Sequence, residues 1–141
     1  MKTVELMSES EFIQAFPLML QLCDHLSQQE YIQLLNEMRK EGYRLFALLD
    51  EENRMTALAG VFIHIDFFNG KYLWISELVT CQETRSNGIG KLLMKDIEDF
   101  AKKEKCKKVI TYSGLSRDKA HHFWENHMGC ERRGIVFKKE L

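Results

Sequence analysis

The sequence predicts an α/β (α+β) fold, with a mixed, mostly antiparallel central sheet flanked by helices. Apolar residues recur at helical spacing over residues 12–38 and again over 89–101, which predicts helices. Between these stretches, apolar runs separated by turn residues predict a meander of strands, with Asn69-Gly70 as a tight hairpin turn. The strand that ends near Thr80 leads through a glycine-rich turn into a helix, so we expect a right-handed parallel crossover there.

The length and composition of the chain indicate one soluble globular domain over residues 1–141. Of the 141 residues, 45% are hydrophobic and 29% are charged, as in ordinary soluble domains. The formal net charge of −1 does not favour nucleic acid or an acidic membrane surface as a partner. No apolar run approaches the ~20 residues that a membrane-spanning helix needs.

The N-terminal segment and the cysteines indicate a cytoplasmic protein. The first residues are mixed and include acids, without the apolar core of an export signal. The cysteines are widely spaced and form no Cys-x-x-Cys pair: Cys23, Cys81, Cys106 and Cys130. We therefore expect four reduced thiols.

The first forty residues predict a short strand at 3–6 and two capped helices. Both helix starts carry the capping-box pattern, a Ser followed three residues later by a Glu: Ser8 with Glu11, and Ser27 with Glu30. Pro17 is expected to bend the first helix or to divide it in two. Gly42 is expected to end the second helix.

Three strands are then predicted, over residues 43–49, 55–68 and 71–80. Gly60 lies inside the second of them, where a glycine indicates a β-bulge or the close approach of another group. After the glycine-rich turn we expect a helix over 89–101, a strand over 107–113, a helix over 117–127 that ends at Gly129, and a last strand over 132–141.

The joint between the central strand and its helix is residues 85–90, RSNGIG. The first N–H groups of a helix have no intrahelical partner, and the helix dipole adds positive charge there, so such a turn suits phosphate. Glycines allow the backbone to come close to a ligand. The spacing Arg-x-x-Gly-x-Gly is neither the dinucleotide fingerprint nor the P-loop.

The order of elements and two motifs resemble the GNAT superfamily of acetyl-CoA-dependent N-acetyltransferases. The motifs are Arg85-x-x-Gly88-x-Gly90 after a Leu78-Val79 strand, and the segment AHHFWENHMGC near the end of the chain. The resemblance covers nearly the whole chain.

The resemblance implies that acetyl-CoA is a cosubstrate and that the central strand splays from the next one to admit it. The pantetheine arm would pair with the end of the central strand, where a backbone N–H near Val79 or Thr80 would polarise the thioester carbonyl. The pyrophosphate would lie on the N–H groups from Ser86 through Lys91. The implied cofactor-binding residues are Leu78, Val79, Thr80, Arg85, Ser86, Asn87, Gly88, Ile89, Gly90, Lys91 and Arg117.

The resemblance also implies two catalytic positions. Glu77 is the candidate general base that would accept the proton of the amine; the alternative is a structural carboxylate that pairs with a cation or fills a polar edge. Trp124 stands where many relatives have a Tyr that protonates the leaving thiolate, and an extra residue precedes Gly129. An indole N–H cannot serve as that acid, so Tyr112 and Cys130 are considered as substitutes.

The function implied is transfer of an acetyl group to a primary amine by direct attack in a ternary complex. The alternative is a non-catalytic acyl-CoA-binding or regulatory module of the same fold, which the missing Tyr favours. No metal site is expected, because the spacing of the histidines and Cys130 near the end matches no zinc pattern. His64 and Asp66 are weighed as an amine-pocket lining against an exposed strand face. A homodimer is also expected.

Overall fold

A computed structural model describes residues 1–84 and 88–141. These residues form two compact units, an N-terminal unit of residues 1–110 and a C-terminal unit of residues 111–141. A single domain over residues 1–141 stays a prediction.

The N-terminal unit contains the predicted mixture of helices and strands. Its elements follow in the order β1 (Lys2–Leu6), α1 (Glu9–Met19), α2 (Gln28–Lys40), β2 (Arg44–Leu49), β3 (Met55–Asp66), β4 (Gly70–Thr80), a 3-10 turn (Gln82–Thr84), α3 (Ile89–Lys103) and β5 (Lys108–Thr111), whose last residue is the first of the C-terminal unit. Among the described residues these strands make one five-stranded sheet in the order β1-β2-β3-β4-β5. The first three pairings are antiparallel, which confirms the mostly antiparallel sheet.

β5 begins beside the beginning of β4. The Lys107 N–H donates to the Lys71 carbonyl at 2.7 Å, and the Lys108 ammonium donates to the Asn69 side-chain oxygen at 3.3 Å. Two neighbouring strands that start at the same end of a sheet run in the same direction. The helix-linked strand pair is therefore parallel, as the connection through α3 predicts.

The sheet is covered on both faces. Leu45, Ala47 and Leu58 belong to a buried cluster with residues of α1 and α2. Successive side chains of a strand point to opposite faces, and Phe46, between Leu45 and Ala47, contacts the Phe100 ring of α3 at 5.2 Å. The two N-terminal helices and α3 therefore pack on opposite faces. No helix within 1–84 or 88–141 is long and apolar enough to cross a bilayer.

Both predicted capping boxes are present. The Glu11 N–H donates to Ser8 Oγ at 3.2 Å, and the Ser8 N–H donates to the Glu11 carboxylate at 3.0 Å. Ser27 and Glu30 repeat the arrangement at 3.1 Å in both directions. The expected division of the first helix at Pro17 is wrong: α1 is continuous through it and ends two residues later, so the lost N–H falls in the last turn.

The hairpin between β3 and β4 is longer than a two-residue turn. Asp66 pairs with Gly70 across the ladder, which leaves three residues in the loop. The Asp66 carboxylate accepts hydrogen bonds from the Asn69 N–H at 2.6 Å and from the Asn69 side-chain amide at 3.1 Å. Gly70 has a φ of 67°, the left-handed conformation that glycine adopts without strain.

The helix predicted over 117–127 is present in the C-terminal unit, in two forms. Residues Asp118–His122 form α4, and Phe123–His127 continue as a π-helical turn. The Met128 N–H donates to the Phe123 carbonyl at 3.1 Å, which is the i→i+5 bond of a π turn. A π turn accommodates one residue more than an α-helical turn, in agreement with the extra residue that precedes Gly129.

The last strand, predicted over 132–141, is wrong. These residues have no regular secondary structure, and they are exposed along their whole length. Ile135 and Phe137 are 68% and 90% exposed. A strand forms only where a neighbour supplies hydrogen bonds, which a sequence pattern does not supply.

Candidate active site

The start of α3 is open to a ligand. Its N-cap is Gly88, with a φ of 74°, and the first intrahelical bond runs from the Leu92 N–H to the Gly88 carbonyl at 3.0 Å. The N–H groups of the three preceding helical residues, Ile89, Gly90 and Lys91, therefore lack helical partners. Among the described residues no side chain caps this end, and the first turn contains no acid.

Backbone geometry at this helix start fits an anion. A Cβ atom built on Gly88 meets no described atom within 4 Å, so the space beside it is open. The Ile89 side chain is buried in the core, which leaves only its backbone for a ligand, whereas Lys91 is exposed. Arg85, Ser86 and Asn87, which were predicted to bind the cofactor, lie outside the described residues. Ligand binding by Gly88 through Lys91 stays a prediction.

Near the end of β4, every second backbone N–H group points away from β3. The Cys81 N–H donates to the Thr56 carbonyl of the segment that enters β3, at 2.8 Å. Because successive N–H groups of a strand point to opposite sides, the Val79 N–H also points toward β3. The N–H groups of Leu78 and Thr80 point to the other side, where β5 lies.

The far edge of β4 extends beyond β5. β4 has eleven residues and β5 has four, and the two strands start together. β5 can therefore pair with only the first part of β4. The outward N–H groups of Leu78 and Thr80 lie past the end of β5, where an extended ligand could pair with them in the way of an added strand.

Glu77, the candidate base, lies on β4 and is half-buried. The Tyr43 hydroxyl donates to Glu77 Oε1 at 2.5 Å. Burial, which disfavours the charged form, raises the pKa of Glu77 to about 7, and the hydrogen bond from Tyr43 opposes this effect. A carboxyl group with a pKa near 7 can accept a proton at neutral pH and release it again, as a general base must.

Two buried tyrosines accompany Glu77. Tyr43 comes just before β2 and is 4% exposed; burial first, and then the charge of Glu77, raise its pKa well above 10. Tyr31 on α2 donates its hydroxyl to the Phe12 carbonyl at 2.9 Å, and burial raises its pKa as well. Both phenols therefore stay protonated near pH 7. The sequence analysis missed Tyr43, although Gly60 marks where another group closely approaches the strand.

Gly60 lies directly opposite Glu77 in the β3–β4 ladder. The register shifts next to this pair, since Gly60 faces Glu77 but Val61 faces Ile75, so Ser76 is an extra residue on β4. A Cβ atom at residue 60 would collide with the Tyr43 hydroxyl and with the Glu77 carboxylate. Both readings of this glycine, a bulge and a close approach, are confirmed.

His64 and Asp66 lie farther along the same strand face. His64 is exposed and stacks on Phe62, with ring centroids 5.3 Å apart. Asp66 is engaged by the hairpin loop, and the hydrogen bond from the Asn69 N–H is the main cause that lowers its pKa. The carboxylate therefore has a structural role in the hairpin, while a role for His64 in an amine pocket stays a prediction.

The remaining predicted residues belong to the C-terminal unit. Arg117 is exposed at the N-cap of α4. Trp124 is half-buried in the π turn, and its ring contacts Phe123 at 5.1 Å. Tyr112 is 58% exposed and Cys130 is a half-buried thiol. Cofactor binding by Arg117 and any part of Trp124 in catalysis stay predictions.

The histidines of α4 and the π turn make local contacts. His121 Nε2 lies 2.8 Å from the Gly114 carbonyl, and His122 Nδ1 lies 2.9 Å from the side-chain nitrogen of Asn126. Outside residues 85–87, no group of three or more His, Cys, Asp or Glu side chains is arranged to hold a metal ion. That the protein needs no metal stays a prediction.

Comparison with known proteins gives the family. The model of the Acetyltransferase (GNAT) family matches residues 9–130. The uncharacterized N-acetyltransferase YhdJ of Bacillus subtilis (strain 168) is 36% identical over 138 residues, which are 97% of this chain and 96% of that protein.

Solved structures share the fold. An aminoglycoside acetyltransferase from an uncultured soil metagenomic sample, in complex with sisomicin, has a TM-score of 0.83 at 18% identity, over 99% of this chain and 95% of that one. AAC(6')-Iy, in complex with the bisubstrate analog CoA-S-monomethyl-acetylneamine, has a TM-score of 0.82 at 14% identity, over 99% and 98% of the two chains. With the match to the family model and to YhdJ, these findings show that the chain belongs to the GNAT family of acetyltransferases.

Proposed function

We propose that the protein is an N-acetyltransferase that transfers an acetyl group from acetyl-CoA to a primary amine by direct attack in a ternary complex. The observation that carries the proposal is the half-buried Glu77 carboxyl, which accepts a hydrogen bond from Tyr43 and whose pKa of about 7 suits proton transfer at neutral pH. It lies one residue before the β4 segment whose outward N–H groups extend past β5.

The described residues fit acetyl-CoA at two places. The pyrophosphate would accept hydrogen bonds from the backbone of Gly88 through Lys91, at a helix start that has no acid of its own. The pantetheine arm would pair with Leu78 and Thr80, whose N–H groups point away from β3. Arg85, Ser86, Asn87 and Arg117 are proposed as further contacts from the motif alone. Bound acetyl-CoA would supply an activated acetyl thioester.

Glu77 would take the proton that the amine must lose. An amine attacks only in its neutral form, so a base that accepts its proton raises the reactive fraction. The nitrogen forms a bond to the acetyl carbon, the carbon–sulfur bond breaks, and the proton passes to Glu77 directly or through a water molecule. The sulfur can leave as a thiolate and take a proton from water, since a thiol has a pKa of about 8.5. Trp124 is therefore not required as an acid.

The proposed acceptor is a primary amine of a small molecule or a peptide. The aminoglycoside acetyltransferase with sisomicin and AAC(6')-Iy with a neamine-derived analog support the small-molecule class. We further propose a cytoplasmic protein with reduced thiols, in agreement with four cysteines present as thiols. A homodimer and the absence of nucleic-acid and membrane partners complete the proposal.

A non-catalytic acyl-CoA-binding module is the second candidate. The observation that favours it is Trp124, which stands in a π turn where the acid Tyr of many relatives is expected. Such a module would keep the α3 start and the β4 edge but would have no use for a base at Glu77.

Thiol release from acetyl-CoA, measured against a panel of primary amines, separates the two functions. The panel should include amino acids, polyamines, aminoglycosides and lysine peptides, and calorimetry should confirm that acetyl-CoA binds. We expect amine-dependent thiol release that falls by about 10²–10⁴-fold in the Glu77→Gln variant, with the affinity for acetyl-CoA unchanged. Binding of acetyl-CoA without turnover of any amine would favour the module instead.

A further inference from the structure

We infer that Tyr43 is a positioning residue that holds the Glu77 carboxylate by one oxygen, in a space that exists because residue 60 is glycine. This inference rests on the proposed function, because it assigns a partner to the proposed base. Neither the match to the family nor the motif indicates a residue before β2 for this role.

Tyr43 is fixed more firmly than a surface tyrosine. It is 4% exposed, and its ring packs on Phe62 with centroids 5.2 Å apart. The phenol oxygen thus has little freedom, and its hydrogen bond restrains the position of Glu77 Oε1. Among the described residues, Tyr43 is the one hydrogen-bond donor that shifts the pKa of Glu77, and it bonds to Oε1; we infer that the substrate proton goes to the second oxygen, Oε2.

Gly60 makes this arrangement possible. It stands across the ladder from Glu77, beside the extra residue Ser76, and any side chain there would enter the space that the Tyr43 hydroxyl and the Glu77 carboxylate share. The bulge and the glycine together allow the Tyr43 phenol, just before β2, to reach the Glu77 carboxylate on β4. The contact between the phenol and the carboxylate therefore depends on three separated residues: Tyr43, Gly60 and Glu77.

Among residues 1–84 and 88–141, no cation shifts the pKa of the Glu77 carboxyl. The titratable groups around it and its partner are Tyr43 from the segment before β2, Tyr31 from α2, and Cys23 from the segment after α1. β3 presents Gly60, which does not titrate. Both tyrosines are neutral near pH 7, so among the described residues the Tyr43 hydroxyl is the group that stabilises the carboxylate form against burial.

Titration of the Glu77 carboxyl carbon by ¹³C NMR tests the inference without any substrate. The protein is labelled with ¹³C-glutamate, and the Glu77→Gln variant identifies the signal. We expect Tyr43→Phe to raise the pKa of Glu77 by about one to two pH units, the value of a hydrogen bond to a charged acceptor. Tyr31→Phe, which removes a buried phenol bonded to a backbone carbonyl instead, is the matched control and should leave this pKa in place. An unchanged Glu77 pKa in Tyr43→Phe would overturn the inference.

A Gly60→Ala variant gives a second measurement. Its methyl group must displace Tyr43 or Glu77 and so weaken the hydrogen bond between them. We therefore expect a higher Glu77 pKa than in wild type and a fall in kcat, with the affinity for acetyl-CoA retained. A wild-type midpoint together with wild-type kcat in this variant would contradict the inference. If it does not fold, the Tyr43→Phe titration decides.

The NMR titration tests the positioning role of Tyr43, and the pH–rate profile tests the role of Glu77 as the base. If Tyr43→Phe moves the Glu77 pKa and the acidic limb of the pH–rate profile moves with it, both the positioning role and the base role are supported. If the NMR midpoint moves while the rate profile stays in place, Tyr43 positions Glu77 but Glu77 is not the base. The proposed function would then need another proton acceptor.

Discussion

The helices of the N-terminal unit begin in two different ways. α1 and α2 start with complete capping boxes, in which the side chains of a Ser and a Glu each accept a hydrogen bond from the backbone N–H of the other. α3 starts at Gly88 with neither a side-chain cap nor an acid in its first turn, within the described residues. The ends of α1 and α2 are thus satisfied within the protein, and the start of α3 is the one that we propose for an external anion.

The carboxylates of the same unit differ in a parallel way. Hydrogen bonds from the backbone lower the pKa of Glu11 and of Glu30, so both capping groups are charged at neutral pH. Burial raises the pKa of Glu77, which is therefore near its midpoint at pH 7. Carboxylates that support the fold are stabilised as anions, and the one proposed for chemistry is balanced between its two forms.

A Gly88→Glu variant gives α3 the carboxylate that it lacks. A side chain at this open position blocks the approach of phosphate sterically, and its negative charge repels the pyrophosphate. We expect the dissociation constant for acetyl-CoA to rise by about a thousandfold, or about 4 kcal/mol, measured by calorimetry. Gly42→Glu is the control, because Gly42 also has a positive φ and open space around it; it should strain the fold without weakening acetyl-CoA binding. Normal affinity in Gly88→Glu would remove the α3 start from the cofactor site.

Replacing Glu77 by Gln should stabilise the protein at high pH. The folded pKa of about 7 lies above the unfolded value of 4.5, so the folded state binds the extra proton. The resulting stabilisation is complete below pH 4.5 and is lost as the pH rises through 7. At pH 9 we expect the free energy of unfolding of Glu77→Gln to exceed that of wild type by about 3 kcal/mol, and this gain should fall to less than about 1 kcal/mol at pH 5. Denaturant titrations at the two pH values measure it, and a gain independent of pH would contradict the assigned pKa.

Removing a capping serine should lower the stability of the fold without changing the affinity for acetyl-CoA. Ser8→Ala and Ser27→Ala are each expected to lower the free energy of unfolding by about 1 kcal/mol, with the affinity for acetyl-CoA unchanged. Denaturant unfolding and calorimetry on the same preparations check both parts. If either variant bound acetyl-CoA weakly, the distinction between structural and ligand-binding helix starts would not stand.

Features that depend on neighbours in sequence were predictable. Each capping box joins residues three apart, and the strand, turn and helix around Gly88 are consecutive. Gly60 indicated a bulge or a close approach because an isolated glycine weakens a strand without such a reason. The sequence could not say which group approaches, because Tyr43 and Glu77 are separated by 34 positions.

Features that depend on distant partners were missed or wrong. A strand was expected over residues 132–141, yet a sequence pattern does not supply the neighbour with which a strand must pair. The π turn after α4 was not predicted as such, although the extra residue before Gly129 was its signal. The pKa of Glu77 follows from burial, which the sequence alone does not give.

The pH dependence of kcat/KM for amine acetylation, measured for wild type and Glu77→Gln with two acceptors of different amine pKa, tests the central claim most directly. We predict that the wild-type rate rises with pH through about 7 with both acceptors, since the limb belongs to Glu77. In Glu77→Gln this limb should be absent and the rate lower by at least about a hundredfold. A Glu77→Gln variant with the wild-type rate and the wild-type limb would contradict the account.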